Sequence, residues 1–192
     1  MEMHRKKNVL REKVKNRLTE LHRVRGAFDH QIRHRLIENE DVRNADVVMG
    51  YFPMKDEVDL FPLYFKLLSR GKTLVFPRVD PHKGCMTAHR VSDLSADSTV
   101  GSFGLREPLS SSPKTSRKEI DVIVVPGLAF TETGQRLGRG GGFYDRFLDG
   151  YRGSRVAAAY EQQLLPEVPF TEHDQTVDTI VTPGRSIAAA SR

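Results

Sequence analysis

The sequence predicts an α/β fold, a mostly parallel sheet flanked by helices, and three observations predict it. Short, largely apolar runs stand at Val47-Val48-Met49-Gly50-Tyr51, Thr73-Leu74-Val75-Phe76 and Ile120-Asp121-Val122-Ile123-Val124-Val125, as in strands buried on both faces. Segments of helical period lie before and between them. Pro53, Pro77 and the pair Pro126-Gly127 close the runs as strand terminators do.

The elements follow in order. Leu10, Val14, Leu18 and Leu21 recur at helical spacing among charged residues, and Phe28, Ile32 and Leu36 continue beyond Gly26. This predicts two helices, or one broken near Gly26, over residues 5–38. Residues 47–51 form the first strand. Asp59 to Arg70 reads as a helix with Leu60, Leu63, Leu67 and Leu68 inward, and Gly71 stands where a C-cap belongs. Residues 73–76 make the second strand, closed by Pro77. Met86 to Val91 reads as a further strand, and Leu109 to Lys118 as an exposed Ser-rich loop. Residues 120–125 give the strongest strand. A Gly-rich segment leads into a short helix at Tyr144 to Leu148, with later strands at Arg155 to Tyr160 and Thr179 to Thr182. The small, polar stretch 184–192 reads as a fraying tail.

At 192 residues the chain fits a single domain over 1–192, with 38% apolar and 29% charged residues, a globular balance. No apolar run approaches the roughly 20 residues that span a bilayer, and the N-terminus lacks the apolar core of a signal peptide. The lone Cys85 rules out an internal disulfide and a multi-thiolate zinc site. A cytoplasmic protein is expected. The net charge of +5 is uneven: residues 1–35 hold eleven basic and four acidic side chains (+7), and the other 157 hold nineteen and twenty-one (−2). Such a segment suits a polyanion, nucleic acid or a nucleotide, or is the solvated face of an amphipathic helix. Phe28 is its only aromatic residue, which argues against RNA.

The chemistry concentrates in Val124 to Phe130 and in Arg136-Leu137-Gly138-Arg139-Gly140-Gly141-Gly142-Phe143-Tyr144-Asp145-Arg146. Four glycines in five positions leave a strand and open a helix. Their N–H groups can turn inward around an anion, Arg136 and Arg139 can neutralise phosphate oxygens, and Asp145 can reach a magnesium ion carried by those phosphates. A glycine cluster alone is also a common turn or hinge. The spacing is neither a Walker A loop nor a Rossmann fingerprint.

Pro126-Gly127-x-Ala129-Phe130 followed by Gly134-x-Arg136-Leu137-Gly138-Arg139-Gly140-Gly141-Gly142-Phe143-Tyr144-Asp145 resembles the signature of the 5-formyltetrahydrofolate cyclo-ligase family. Lys7-x-x-Leu10-Arg11, Tyr51 with Met54 to Asp59, Gly104 to Pro108 and His173 to Asp178 match further pieces in the family's order. The resemblance implies the fold shared with sugar-phosphate isomerases and CoA transferases. It implies cyclisation of 5-formyltetrahydrofolate to 5,10-methenyltetrahydrofolate, driven by ATP with Mg2+ and releasing ADP and phosphate. The formyl oxygen would be phosphorylated before N10 closes the ring.

Residue roles implied by the resemblance follow. Lys7, Arg11, Arg136, Leu137, Gly138, Arg139, Gly140, Gly141, Gly142, Phe143 and Tyr144 would surround ATP. Met54, Glu57 and Asp59, with Arg139 to Phe143, would hold the folate. Arg139 and Asp145 would be catalytic, and Asp145 and Asp174 would hold the metal, with Asp178 the other choice for the second ligand. Tyr144 is packing or catalytic. Many relatives have Tyr where Phe143 stands, and some have Lys in place of Gly141. The expected partners are ATP and a reduced folate, without nucleic acid or membrane, and the expected state is a monomer. The alternative is a non-catalytic nucleotide- or folate-binding regulator on the same fold. His82, Cys85 and His89 read as an exposed turn rather than a metal site. His22, His30 and His34 read as solvent-facing. Glu107-Pro108 is either a strand-ending turn or part of the pocket, and Glu161 ends a strand.

Overall fold

The computed structural model describes residues 2–189. In chain order the elements are α1 (Glu2–Thr19), a 3-10 turn (Glu20–Arg23), α2 (Arg25–Glu38), α3 (Glu40–Asn44), β1 (Val47–Met49), α4 (Phe61–Ser69), β2 (Thr73–Asp80) and β3 (Cys85–Arg90). They continue with β4 (Ser98–Val100), β5 (Arg106–Pro108), β6 (Lys114–Thr115), β7 (Val122–Val125), β8 (Ala129–Phe130), β9 (Arg136–Leu137), α5 (Phe143–Leu148), β10 (Ser154–Ala158), β11 (Thr179–Val181) and β12 (Ser186–Ala188). The main sheet runs β12-β11-β10-β7-β1-β2-β3-β6. Five of its strands, β11-β10-β7-β1-β2, are parallel; β12 and β3 flank them antiparallel, and β6 pairs antiparallel with β3.

Strand alternation divides the core in two. Val122 and Val124 of β7 join Val48, Leu74 and Val156 on one face, covered by Val14 and Leu18 of α1, Ile32 and Leu36 of α2, and Leu63 and Leu67 of α4. Ile123 and Val125 join Met49, Val75, Ala157 and Ile180 on the other face, against Leu148 of α5 and Tyr151. All four β7 side chains are fully buried, which is why this strand carries no polar alternation.

Several boundaries differ from the sequence reading. The break between the first two helices falls at the 3-10 turn, where Leu21 turns into the core, and Gly26 sits inside the first turn of α2. Pro77 does not close β2. The parallel pairing with β1 ends at Val75, and the Val91 N–H bonding Leu74 O sets an alternation in which Pro77 lies opposite Ala88 at a non-hydrogen-bonded position. The missing proline donor therefore removes no bond to β3. The stretch read as a fraying tail contains β12: Ile187 pairs with Ile180 and packs on the second core face, an apolar residue masked by its small, polar neighbours. Residues 190–192 of that stretch lie outside the described residues. His89 sits within β3 instead of on a turn, buried, with its ring bonded to Thr87 Oγ1 and Ser112 O.

Four cations of the basic N-terminal helices, Arg17, Arg25, Arg33 and Arg35, tie them to the rest of the chain. Arg17 donates to Gln162 O, Arg35 to Pro183 O and Arg33 to Asp59 O. Arg25 reaches the Tyr160 hydroxyl and the carbonyls of Lys55 and Glu57. The segment is divided: these cations are staples, while Arg5, Lys6, Lys13 and Arg23 lie on an exposed face. Among the described residues no helix is long and apolar enough to cross a membrane.

Candidate active site

A cavity of about 540 Å³ opens at the carboxyl ends of β1, β2 and β7, where open α/β sheets place ligands. Each strand end adds to its wall: Tyr51 and Phe52 after β1, Pro77 and Val79 on the far half of β2, Pro126 and Gly127 after β7. The β8–β9 hairpin returns the chain from Gly127 and launches the loop 138–142 across it. Gly140 and Gly142 have φ of +108° and +66°, a region that side chains other than glycine rarely enter. A Cβ at Gly140 would also stand 3.3 Å from Arg11 Cζ. Among the described residues, no backbone N–H from 138 to 142 finds a protein acceptor.

One side of this loop is ionic. Arg11 comes from α1, is nearly buried, and donates from Nε to Gly138 O at 2.9 Å. Burial lowers its guanidinium from the ordinary value, against the pull of Asp174 and Asp145. Lys7, one turn earlier, binds both oxygens of Asp174 at 2.7 and 2.5 Å. Thr171 adds its N–H and hydroxyl to Asp174 Oδ2. Burial opposes ionisation of Asp174, yet Lys7 and Thr171 together hold its carboxyl below the ordinary range. Arg136, buried on β9, donates to Asp145 Oδ1 at 2.6 Å, and the Gln175 N–H adds a bond at 3.1 Å.

The metal assignments separate here. Asp174 has both oxygens engaged, whereas Asp145 keeps Oδ2 without a hydrogen bond. Among the described residues no three His, Cys, Asp or Glu side chains cluster as a metal cage. One available carboxylate oxygen beside a phosphate-sized loop suits magnesium, which takes few protein ligands and arrives with substrate phosphates.

The other side is apolar, with Phe52, Met54, Val79, Met86, Leu105 and Phe143 in its wall. Arg139 crosses to it from the loop, donating to Asp56 Oδ1 at 2.6 Å and Glu57 Oε1 at 3.0 Å. Burial works to lower Arg139, but the two carboxylates hold it above its ordinary value. Glu57 is buried; that raises its carboxyl, opposed by Arg139 and by the Met54 N–H on Oε2. Phe103, with φ +58° in the left-handed region, faces Phe143 across the mouth at 6.3 Å.

Lys7, Arg11, Met54, Glu57, Arg136 to Asp145 and Asp174 are thus brought to one cavity. Asp59 is not. Its carboxylate turns away to accept the Phe61 N–H at 3.0 Å, within 3.9 Å of Arg33, beside a neighbouring shallow groove. The short side chain is fixed at the start of α4 and does not reach the cavity. The Tyr144 hydroxyl is buried without a partner, and burial pushes it above its ordinary value. Sequence reasoning missed His4, Phe52, Val79, Met86, Phe103 and Arg106 as cavity residues. Only the alternation along β2 and β3, had their pairing been known, would have placed Val79 opposite Met86.

A cavity at the carboxyl edge of an open parallel sheet, lined by ionic groups on one side and apolar groups on the other, defines a small-molecule enzyme of the α/β class. A family model described as the 5-formyltetrahydrofolate cyclo-ligase family matches residues 3–183. The chain belongs to that family. A 5-formyltetrahydrofolate cyclo-ligase of Escherichia coli is 32% identical over 149 residues, covering 73% of this chain and 80% of that protein. One from Mycolicibacterium smegmatis is 43% identical over 90 residues, covering 45% and 46%. The solved 5,10-methenyltetrahydrofolate synthetase of Aquifex aeolicus superposes with a TM-score of 0.85 at 32% identity, covering 97% of this chain and 94% of that one. Family and relatives' names indicate 5-formyltetrahydrofolate cyclo-ligase activity.

Proposed function

We propose that this protein converts 5-formyltetrahydrofolate to 5,10-methenyltetrahydrofolate while turning ATP into ADP and phosphate, with Mg2+ as the metal. The formyl oxygen is a poor leaving group and must first be activated. It attacks the γ-phosphorus of ATP, and the bond to the ADP oxygen breaks. N10 then attacks the formyl carbon and loses its proton, and the carbon–oxygen bond breaks to release phosphate. The substrate supplies both nucleophiles, so the protein's work is positioning and charge stabilisation.

The observation that carries this reading is the run of five cavity-lining residues, 138–142, whose N–H groups have no protein acceptor among the described residues. Donors so arranged suit the oxygens of a triphosphate. Lys7, Arg11 and Arg136 would add charge around it, with Leu137, Phe143 and Tyr144 in the wall. Met54, Glu57 and Arg139, with Gly140 to Phe143, would hold the folate beside it. Asp145 would hold magnesium, which when bound supplies neutralisation of the phosphate oxygens. Asp174 would act by anchoring Lys7 rather than by touching metal. A monomer and the cytoplasm are the state and compartment this reading assigns.

The test is to mix protein, Mg2+, ATP and 5-formyltetrahydrofolate and follow the near-ultraviolet absorbance of the methenyl product together with phosphate. Equal amounts of both are expected. Folded protein that binds both ligands without product would instead be a regulator.

A further inference from the structure

This inference rests on the folate reading above. We propose that Arg25 is a positioning residue for the folate, acting from outside the cavity through Glu57. Residues 50–60 join β1 to α4 without helix or strand, and this segment carries Met54 and Glu57 into the cavity wall. Its start is tied down by the Gly50 N–H on Val75 O and by the Tyr64 hydroxyl on Tyr51 O. Its end is tied by Arg33, which donates to Asp59 O at 2.7 Å. The middle turns on itself: the Glu57 N–H reaches Met54 O at 3.0 Å, and the Met54 N–H reaches Glu57 Oε2 at 2.9 Å. Neither of those two bonds places the turn relative to the sheet. On its cavity side the turn meets Arg139, which itself comes from the glycine loop. Arg25 holds it from behind, donating from its two terminal nitrogens to the carbonyls of Lys55 and Glu57.

Arg25 is itself fixed for this task. Its Nε donates to the Tyr160 hydroxyl at 2.9 Å, and its guanidinium lies 5.6 Å from the centre of that ring. The Tyr160 hydroxyl donates in turn to Asp29 Oδ1, one helical turn beyond Arg25 on α2, and Tyr160 and Asp29 are both buried. The Tyr160 N–H donates to Gln163 Oε1 at 2.8 Å, and Gln163 Nε2 donates to Gly127 O at 2.9 Å. The fork is thus tied to the strand end at Gly127, which forms part of the cavity wall. A planar guanidinium presents its donors at set angles, so the two carbonyls are held in one relative position. With the turn so placed, Glu57 Oε1 meets Arg139 Nε at 3.0 Å. Arg25 lines the neighbouring shallow groove and not the cavity, so it acts on the folate without touching it.

The experiment measures kcat, KM for 5-formyltetrahydrofolate and KM for ATP in wild type, Arg25→Ala, Glu57→Gln and the double variant. Arg25→Ala is expected to raise KM for the folate about tenfold, as for losing hydrogen bonds from a charged group. Its kcat and its KM for ATP should stay within about threefold of wild type. In the Glu57→Gln background the same change is expected to raise KM for the folate no more than about threefold, because the residue through which Arg25 acts is already altered. Arg25→Lys, which keeps the charge and loses the fork, should fall between wild type and Arg25→Ala. A rise in both KM values together, or an equal rise with and without the Glu57 carboxylate, marks Arg25 as a helix strut and overturns the assignment. Should Arg25→Ala fail to fold, Arg25→Lys in the two backgrounds carries the same measurement. Wild type without turnover of 5-formyltetrahydrofolate overturns the folate reading and this assignment with it; turnover with a KM for the folate that ignores Arg25 overturns this assignment alone.

Discussion

The two sides of the 138–142 loop use charge in opposite ways. On the ionic side, Lys7, Arg11 and Arg136 are each held by a protein oxygen, from Asp174, Gly138 or Asp145. An incoming polyanion finds cations already oriented, and part of their pairing can be exchanged. On the apolar side the carboxylates are buried: Glu57 is clamped by Arg139 and a backbone N–H, and Glu107 lies beside Arg78 and the Val79 N–H. The contrast shows how one cavity can serve two ligands. The oriented cations suit a ligand made of charge, and the apolar walls suit a ligand made of rings.

Removing Asp145 should break the ionic side most. Asp145→Asn is expected to lower turnover about 100-fold, in the range seen for losing one group that stabilises developing charge. It also leaves the buried Arg136 without its carboxylate, so the melting temperature should fall by several degrees. Steady-state kinetics over a magnesium series, beside a thermal melt, check both. Unchanged turnover would remove Asp145 from the mechanism.

Next in size is a pair of variants that should separate the ligands. Lys7→Ala is expected to raise KM for ATP about tenfold and leave KM for the folate alone. Arg139→Ala should do the reverse, because its side chain is anchored to Asp56 and Glu57. Parallel rises in both constants for either variant would erase the division of the cavity.

The two sides should also answer pH oppositely. Asp174 is held below its ordinary 3.8, so its stabilising contribution is present above that value and lost as pH falls through the depressed value. Glu57 is raised above its ordinary 4.5, so its contribution is present below that value and lost as pH rises through the elevated one. Melting temperatures from about pH 3 to about pH 6 should show the wild-type advantage over Asp174→Asn growing with pH, and that over Glu57→Gln shrinking. Slopes of the same sign would refute the contrast.

The smallest effect belongs to Asp59→Asn. It touches neither side of the cavity, so both KM values should stay within about twofold, and stability should drop by about 1 kcal/mol or less from the weakened bond to the Phe61 N–H. A large rise in KM for the folate would return Asp59 to the site.

The sequence made the parallel strands and the glycine loop legible because both are local signals. Residues 122–125 are apolar on every face, and 136–145 carry their glycines and charges in one run. What stayed hidden depended on pairing. The passage of β2 through Pro77 follows from its pairing with β1 ending at Val75, which no local pattern encodes. The burial of Glu107 depends on β5 folding beside the second half of β2, and the displacement of Asp59 depends on a bond to α4. The strand at 186–188 needed β11 as its partner. In the basic helices the local pattern does not tell a solvated charge from a staple: Arg17 and Arg35 reach carbonyls of distant turns and loops only once the chain has folded.

The most direct measurement is a crystal structure with a non-hydrolysable ATP analogue, Mg2+ and 5-formyltetrahydrofolate bound together. The account predicts phosphate oxygens against the N–H groups of 138–142 and Arg11, with the heterocycle on the far side of the loop beside Met54 and Glu57. A nucleotide lodged elsewhere, with those five donors facing only solvent, would contradict it.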